Sequence, residues 1–218
     1  MTVGAGITVG ERAPRRLLLL RHGRTAWNLE RRVQGQTDVP LDEVGRAQAQ
    51  AVAPLIAEME PQFVVSSDLA RARVTAEQIA AASDVLPTVD QRLREFDLGL
   101  RAGMRLADYA EENADEYAAF RSGRYDVVPG GESREQLEAR FVPALREALS
   151  SVEPGGLGVV VAHGAALKVA VGALLGWPPE LAQTLHSLGN CHWGEVDDSG
   201  DPGSVAAGLR LVAWNRHA

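Results

Sequence analysis

Four short runs of branched apolar residues are spaced along the chain, and each is bounded by polar or turn-forming residues. Runs of this length predict strands, and the lack of polar alternation favours burial on both faces of a parallel sheet. We predict these strands at 17–20, 62–66, 85–89 and 157–162. Because Pro87 cannot donate a ladder hydrogen bond, the third strand is expected at an edge of the sheet.

Between these runs, apolar residues recur with the period of amphipathic helices. Asp68 is expected to cap a helix over 69–82, and Ser133 with Gln136 predicts a capping box at the start of a helix over 133–150. Strand and helix therefore alternate, which indicates an α/β fold. We predict helices at 41–59, 69–82, 133–150 and 165–175.

One segment breaks the alternation. Residues 95–132 combine several glycine-containing turns with a polar helix near 104–120, and we interpret them as an inserted lid. Two late strands, 191–196 and 209–214, flank a turn-rich loop and could pair as a hairpin.

The length of 218 residues suits one domain with a lid, which we place at 15–218 after a mobile N-terminal tail over 1–14. A net charge of −7 argues against a general nucleic-acid binder. No apolar stretch approaches the roughly 18 residues of a membrane span. The lone Cys191 excludes a disulfide within the chain and fits a reducing, cytoplasmic location.

Polar residues follow the carboxyl ends of all four predicted strands. Arg21 and His22 follow the first, Arg71 and Glu95 follow the second and third, and His163 follows the fourth. Open α/β sheets bind ligands at this edge, so these side chains are expected to converge. The forked donors of arginine suit phosphate or carboxylate, and histidine can serve as nucleophile, base or metal ligand. Each residue alone has an ordinary structural explanation, whereas their convergence favours a functional site.

Six stretches, in this order along the chain, resemble the histidine phosphatase superfamily in the branch shared by phosphoglycerate mutases and small-molecule phosphatases. They are LLRHGRTAWN (19–28), QGQTDVPL (34–41), SSDLARARVTA (66–76), LREFDLG (93–99), PGGES (129–133) and VVAHG (160–164). The end of the chain, at 188–193 and 212–215, is similar to actinobacterial glucosyl-3-phosphoglycerate phosphatases. The resemblance implies a three-layer α/β sandwich with a mostly parallel central sheet and a small lid.

The resemblance also implies roles for the converging residues. His22 would take the phosphoryl group as nucleophile, and Glu95 would protonate the leaving oxygen and then activate water. Arg21, Arg71 and a charged His163 would surround the phosphoryl oxygens with about three positive charges, which require an anion.

Further positions match the rim of the family's pocket. Asn28, Gln34, Thr37 and Gly164 are expected to bind substrate, and Arg24, with Arg101, could favour a second anionic group such as a carboxylate. No cofactor is expected. No metal is expected either, because the acids do not form a Mg²⁺ pattern and the histidines lack the spacing of a zinc site.

We therefore predict a metal-independent phosphomonoesterase that hydrolyses a small phosphorylated metabolite through a phosphohistidine. One alternative is a cofactor-dependent phosphoglycerate mutase, which is disfavoured because acids outnumber arginines in the short lid. A second is a catalytically vestigial, phosphate-binding regulatory module. The Trp177-Pro178-Pro179 turn and strand 209–214 could serve a homodimer, but equally a core. Neither nucleic acid nor membrane is an expected partner.

Overall fold

The computed structural model describes residues 13–203 and 206–218. The predicted tail therefore lies outside the described residues, except for its last two positions. The strands of the described chain belong to one sheet. They are β1 (Arg16–Arg21), β2 (Phe63–Ser66), β3 (Pro87–Val89), β4 (Leu157–Ala162), β5 (Trp193–Asp197) and β6 (Arg210–Arg216).

The sheet has the order β3-β2-β4-β1-β5-β6. The first four strands run parallel, whereas β5 pairs antiparallel with both β1 and β6. The mostly parallel sheet, the edge position of β3 and the late antiparallel pair are thus confirmed. Because β1, β2, β3 and β4 are parallel, their carboxyl ends meet at one edge of the sheet.

Helices cover both faces of this sheet. The predicted helices correspond to α2, α3, α6 and α7, whereas α1 and α8 are short helices without a predicted counterpart. In chain order the helices are α1 (Ala26–Leu29), α2 (Glu43–Ala57), α3 (Ala70–Ala82), α4 (Leu106–Glu112), α5 (Ala114–Arg121), α6 (Arg134–Ser150), α7 (Gly164–Leu174) and α8 (Pro179–Gln183). None of the helices in the described part of the chain is long and apolar enough to cross a membrane.

Two expectations about helix ends have different outcomes. The capping box of Ser133 and Gln136 opens α6 as predicted. The prediction that Asp68 caps α3 is wrong, since α3 begins after Leu69 without a side-chain cap at that residue. The Asp68 carboxylate accepts a hydrogen bond from Arg94 Nε (2.8 Å) instead, and Asp38 accepts from the first backbone N–H of α3 (2.7 Å).

Alternate side chains of β1 enter two separate cores. Leu17 and Leu19 pack into the core under α6 and α7, and Leu18 and Leu20 into the one under α2 and α3. All four are at most 1% exposed, and burying each contributes about 1.5–3 kcal/mol. The predicted three-layer arrangement is confirmed, with the sheet between two helical layers.

The lid segment packs on the first of these cores. Its helix is divided at Asn113 into α4 and α5, which corrects the single helix predicted near 104–120. Phe96 stacks on Tyr125 with a ring separation of 4.1 Å, and Phe120 meets Tyr125 edge to face. These contacts hold the lid segment together, and these three aromatic residues line one cavity with Arg21 and His22 at the end of β1.

Candidate active site

The ends of β1 and β4 lie side by side and bring two histidines together. Arg21 is level with Ala162 in the parallel register, and His22 N donates to the Ala162 carbonyl oxygen (3.0 Å). The rings of His22 and His163 are 5.2 Å apart between centroids, and the two residues are 3% and 0% exposed. The predicted convergence of these distant segments is therefore present in the fold.

A cavity of about 180 Å³ opens at this edge of the sheet. Most of the predicted site residues line it, and the lid adds an apolar wall that the sequence reasoning did not identify. The predicted residues at the cavity are Arg21, His22, Asn28, Gln34, Arg71, Glu95 and Gly164. The others are Gly35, Phe96, Leu98, Phe120, Tyr125, Ala165 and Ser187.

His22 is held in one tautomer. Its Nδ1 lies 2.7 Å from the Gly23 carbonyl oxygen, which can only accept, so Nδ1 carries the proton and Nε2 the lone pair. Burial, followed by the charges of Arg71 and Arg21, lowers the pKa of His22 well below its usual range. The imidazole is therefore neutral at physiological pH and able to act as a nucleophile.

His163 has the opposite tautomer. Arg71 Nε donates to His163 Nδ1 (3.3 Å), which places the His163 proton on Nε2. Burial, then the charge of Arg71, lowers the pKa of His163 well below its usual range. His163 is thus a neutral hydrogen-bond donor in the ligand-free site, and its positive charge in the presence of a bound phosphoryl group stays a prediction.

Two buried donors at the site have no partner in the described part of the chain. They are His163 Nε2 and Arg21 Nε, although Arg21 Nη1 donates to the Leu188 carbonyl oxygen (2.6 Å). An unsatisfied buried donor costs about 1–3 kcal/mol, and more when it is charged. Two such donors beside an imidazole lone pair favour a site for an anion with several acceptor oxygens, such as a phosphoryl group.

Arg71 is fixed by backbone oxygens from the loop after α1. Its Nη2 donates to Gly35 O (2.8 Å) and its Nη1 to Thr37 O (2.7 Å). Thr37 therefore contributes its carbonyl group, and it does not line the cavity. Gly35 has a φ of +52°, and a Cβ there would lie 3.2 Å from Leu98 Cβ, so this turn requires glycine. Burial lowers the pKa of Arg71 to about 10, which still leaves a positive charge at neutral pH.

Glu95 reaches the cavity at the amino end of α7. Its carboxylate accepts hydrogen bonds from the backbone N–H groups of Phe96 (3.0 Å), Ala165 (3.2 Å) and Ala166 (2.8 Å). The first turn of a helix presents N–H groups that have no partner within the helix, and the Glu95 side chain accepts hydrogen bonds from two of them here. These bonds fix Glu95 beside the site of the two histidines, where it can exchange protons with a bound molecule.

Asn28 and Gln34 are held at the rim by their neighbours. Asn28 Oδ1 accepts from Thr25 N (3.1 Å) and Asn190 Nδ2 (3.2 Å), which leaves the Asn28 amide hydrogens for a ligand. Thr25 Oγ1 donates to Gln34 Oε1 (2.9 Å). Asn190 also donates to the His22 carbonyl oxygen (3.0 Å), a role that the sequence reasoning missed because no helix or strand pattern marks this loop residue.

The structure does not bring Arg24 to the cavity. Arg24 Nε donates to Asp42 Oδ2 (2.8 Å) at the start of α2, because the chain turns away from the site at Gly23. Arg101, the other proposed anion contact, is paired with Glu116 within the lid. The described residues include no group of three His, Cys, Asp or Glu side chains arranged for a metal ion, and metal independence stays a prediction.

Replacing Arg24 with Ala tests this placement. The Arg24–Asp42 pair is partly exposed, so its loss is expected to lower the free energy of unfolding by less than about 1 kcal/mol. KM for an acidic phosphate ester should stay at the parent value, as should KM for a neutral one. A selective rise for the acidic ester, measured by steady-state phosphate release, would place Arg24 at the substrate after all.

Because His22 and His163 are buried, we also predict that the free energy of unfolding depends on pH. Because their pKa values are lowered in the folded state, the unfolded chain binds more protons below its histidine pKa of about 6.5. The free energy of unfolding should therefore be constant above that pH and fall below it, by about 1.4 kcal/mol per pH unit for each histidine.

Urea unfolding of the ligand-free protein between pH 7.5 and 5 measures this slope. His22→Gln removes one of the two groups and is expected to halve the histidine contribution. His217→Gln, which removes an exposed histidine, is the matched control for the substitution itself. Equal slopes for the parent and His22→Gln would show that His22 is protonated in the folded protein.

Comparison with known proteins agrees with this geometry. The model of the histidine phosphatase superfamily (branch 1) matches residues 17–207. A glucosyl-3-phosphoglycerate phosphatase of Mycobacterium tuberculosis is 37% identical over 216 residues, covering 94% of this chain and 96% of that protein. A probable phosphoglycerate mutase GpmB of Salmonella paratyphi C is 38% identical over 180 residues, which is 82% of this chain and 83% of that protein.

A solved structure gives the same result at the level of the fold. The mycobacterial glucosyl-3-phosphoglycerate phosphatase in complex with VO3 superposes with a TM-score of 0.83 at 36% identity, covering 92% of this chain and 98% of that one. The sequence match and the shared fold extend across the sheet, the lid and both histidine segments. The chain belongs to the histidine phosphatase superfamily, branch 1.

Proposed function

We propose that this protein is a metal-independent phosphomonoesterase that works through a phosphohistidine on His22. The observation that carries the proposal is the pair of unpartnered buried donors, His163 Nε2 and Arg21 Nε, beside the Nε2 lone pair of His22. Preorganised donors of this kind stabilise the charge of a transferring phosphoryl group without reorganisation.

In the first step, His22 Nε2 attacks phosphorus, a P–N bond forms and the P–O bond to the leaving group breaks. Protonated Glu95 transfers its proton to the leaving oxygen, so an alcohol departs rather than an alkoxide. Arg21, Arg71 and His163 donate to the phosphoryl oxygens while negative charge shifts onto them.

In the second step, the Glu95 carboxylate takes a proton from a water molecule that attacks phosphorus. The P–N bond breaks, inorganic phosphate forms and His22 regains its lone pair on Nε2. Throughout, the bond from His22 Nδ1 to the Gly23 carbonyl oxygen keeps the ring oriented and disperses the charge on the phosphorylated imidazole. Glu95 ends protonated, as the first step requires.

We infer that the substrate is a phosphoglycerate that carries a glycosidically linked sugar. This inference is supported by the match to glucosyl-3-phosphoglycerate phosphatases over most of both chains. Phe96, Phe120 and Tyr125 give the cavity an aromatic wall suited to the organic part of such a molecule. Phosphate release from a panel of glucosyl-3-phosphoglycerate, 3-phosphoglycerate and simple sugar phosphates tests it, and a higher kcat/KM for a simple sugar phosphate would contradict it.

A mutase is less well supported by the cavity. A mutase must retain a bisphosphate, so it needs cations for a second phosphate. Among the described residues, the positively charged side chains that line this cavity are those of Arg21 and Arg71. The lid adds no positively charged side chain to this lining. Incubation with 3-phosphoglycerate and its 2,3-bisphosphate should release phosphate, and formation of 2-phosphoglycerate would instead show mutase activity.

Two further predictions concern the cellular context. Cys191 is buried, and burial raises the pKa of its thiol to about 12, so the thiol stays protonated and unreactive at neutral pH. This state is compatible with the proposed cytoplasmic location.

The homodimer also stays a proposal, and light scattering coupled to gel filtration of the full chain decides it.

A further inference from the structure

The hydrogen-bond partner of His22 is itself held from a helix behind the site. Gly23, whose carbonyl oxygen accepts from His22 Nδ1, donates its own N–H to Thr75 Oγ1 (3.1 Å). Thr75 lies in the middle of α3 and is 0% exposed. It does not line the cavity.

The Thr75 hydroxyl has only one arrangement that satisfies both neighbours. Its hydrogen is donated to the Arg71 carbonyl oxygen one turn earlier (2.8 Å), a bond that threonine commonly makes inside helices. A lone pair is then left for the Gly23 N–H. One buried oxygen atom therefore connects the backbone of Arg71, which faces the phosphoryl site, to the residue that orients His22.

Packing on the other side prevents Gly23 from moving away. A Cβ on Gly23 would lie 2.4 Å from the Gly45 carbonyl oxygen, so the turn after His22 contacts the first turn of α2 directly. A Cβ on Gly45 would lie 1.9 Å from the Arg24 carbonyl oxygen. The turn is thus held between α2, through close backbone contact, and α3, through the Thr75 hydroxyl.

We propose that Thr75 is a positioning residue for the nucleophile: it fixes Gly23 so that the Gly23 carbonyl oxygen accepts from His22 Nδ1 and the lone pair stays on Nε2. Its effect on turnover rests on the proposed function, whereas its effect on the tautomer of His22 does not. Without the hydroxyl, the Gly23 N–H is buried and unpaired, the turn relaxes, and the inactive Nε2–H tautomer becomes populated.

The test compares Thr75→Val, which keeps the shape but removes the hydroxyl, with Thr75→Ser, which keeps the hydroxyl. The ¹⁵N chemical shifts of His22 in the ligand-free protein report the tautomer, with the His22→Gln spectrum providing the assignment. Thr75→Val is expected to shift both ring nitrogens towards a tautomer mixture. It should also lower kcat on the order of 10-fold, with a smaller change in KM. Thr75→Ser is expected to restore both readouts.

Ile79→Ala is the matched control for lost stability, because Ile79 is fully buried one turn further along α3. It should lower Tm without changing the His22 shifts. If Thr75→Val does not fold, Thr75→Ala removes the same hydroxyl in a smaller side chain. Parent-like His22 shifts in a folded hydroxyl-deficient variant would overturn the proposal. If the parent hydrolyses no phosphate ester, the proposed function fails, while the ¹⁵N shifts still decide the role of Thr75.

Discussion

Replacing His22 with Ala is expected to abolish the phosphoenzyme and to lower kcat by at least about 10⁴-fold, since loss of a nucleophile removes the whole covalent route. In the parent, rapid acid-free quenching after mixing with a ³²P-labelled ester should trap label that is stable to base and lost in acid, as expected for a phosphoramidate. The buried donors around the vacated position remain, so His22→Ala should still bind vanadate.

His217→Ala is the matched control, because it removes an exposed histidine that does not line the cavity. It should retain both the labelled intermediate and the parent kcat. Labelling of His22→Ala at the parent level would assign the nucleophile elsewhere. A parent that binds vanadate but neither acquires label nor releases phosphate from any ester in the panel would favour the vestigial regulatory module.

The expected result depends on the lone pair of His22 being on Nε2, and this could not have been predicted from sequence. The strand patterns predict that His22 and His163 follow parallel strands and converge at one edge of the sheet, and the parallel pairing of β1 with β4 brings them together there. The tautomer of each of the two histidine rings, however, depends on which atom forms a hydrogen bond with its Nδ1. Gly23 O and Arg71 Nε give the two rings opposite assignments.

Ion pairing between distant residues was the main source of error in the sequence predictions. Asp68 and Arg24 each have an ordinary local interpretation, as a helix cap and as an anion contact. Each instead has a partner that the sequence does not identify, Arg94 for Asp68 and Asp42 for Arg24. Charged side chains reach several positions of similar energy, and loop geometry selects one, whereas an uninterrupted apolar run is stable only where both of its faces are buried.

The lid also has one feature that the sequence predicts and others that it does not. Its position in the chain followed from the break in the alternation of strand and helix. Its internal structure did not, because the interruption at Asn113 and the stacking of Phe96 on Tyr125 are tertiary features. Since the lid supplies the aromatic wall of the cavity, the features that would select a substrate are the least accessible to prediction from sequence.

Replacing Glu95 with Gln is expected to have an effect that depends on the leaving group. An alkyl phosphate needs protonation of its leaving oxygen, so kcat should fall about 10²–10⁴-fold. p-Nitrophenolate leaves without a proton, so transfer from p-nitrophenyl phosphate to His22 should stay near the parent rate. Hydrolysis of the phosphohistidine still lacks its base, and a burst of one p-nitrophenolate per active site should precede slow turnover.

Stopped-flow absorbance measures this burst. Glu77→Gln on the exposed side of α3 is the matched control, because it removes a carboxylate that does not line the cavity. In Glu95→Gln the new amide NH₂ would oppose at least one of the three backbone N–H groups that donate to the Glu95 carboxylate, so Tm is measured alongside. A stable variant that loses the same factor on both esters, without a burst, would show that Glu95 positions α7 rather than moving protons. If phosphoryl transfer from the alkyl ester to His22 also stays at the parent rate, followed by the same slow turnover, the acid is another residue and Glu95 is the base alone.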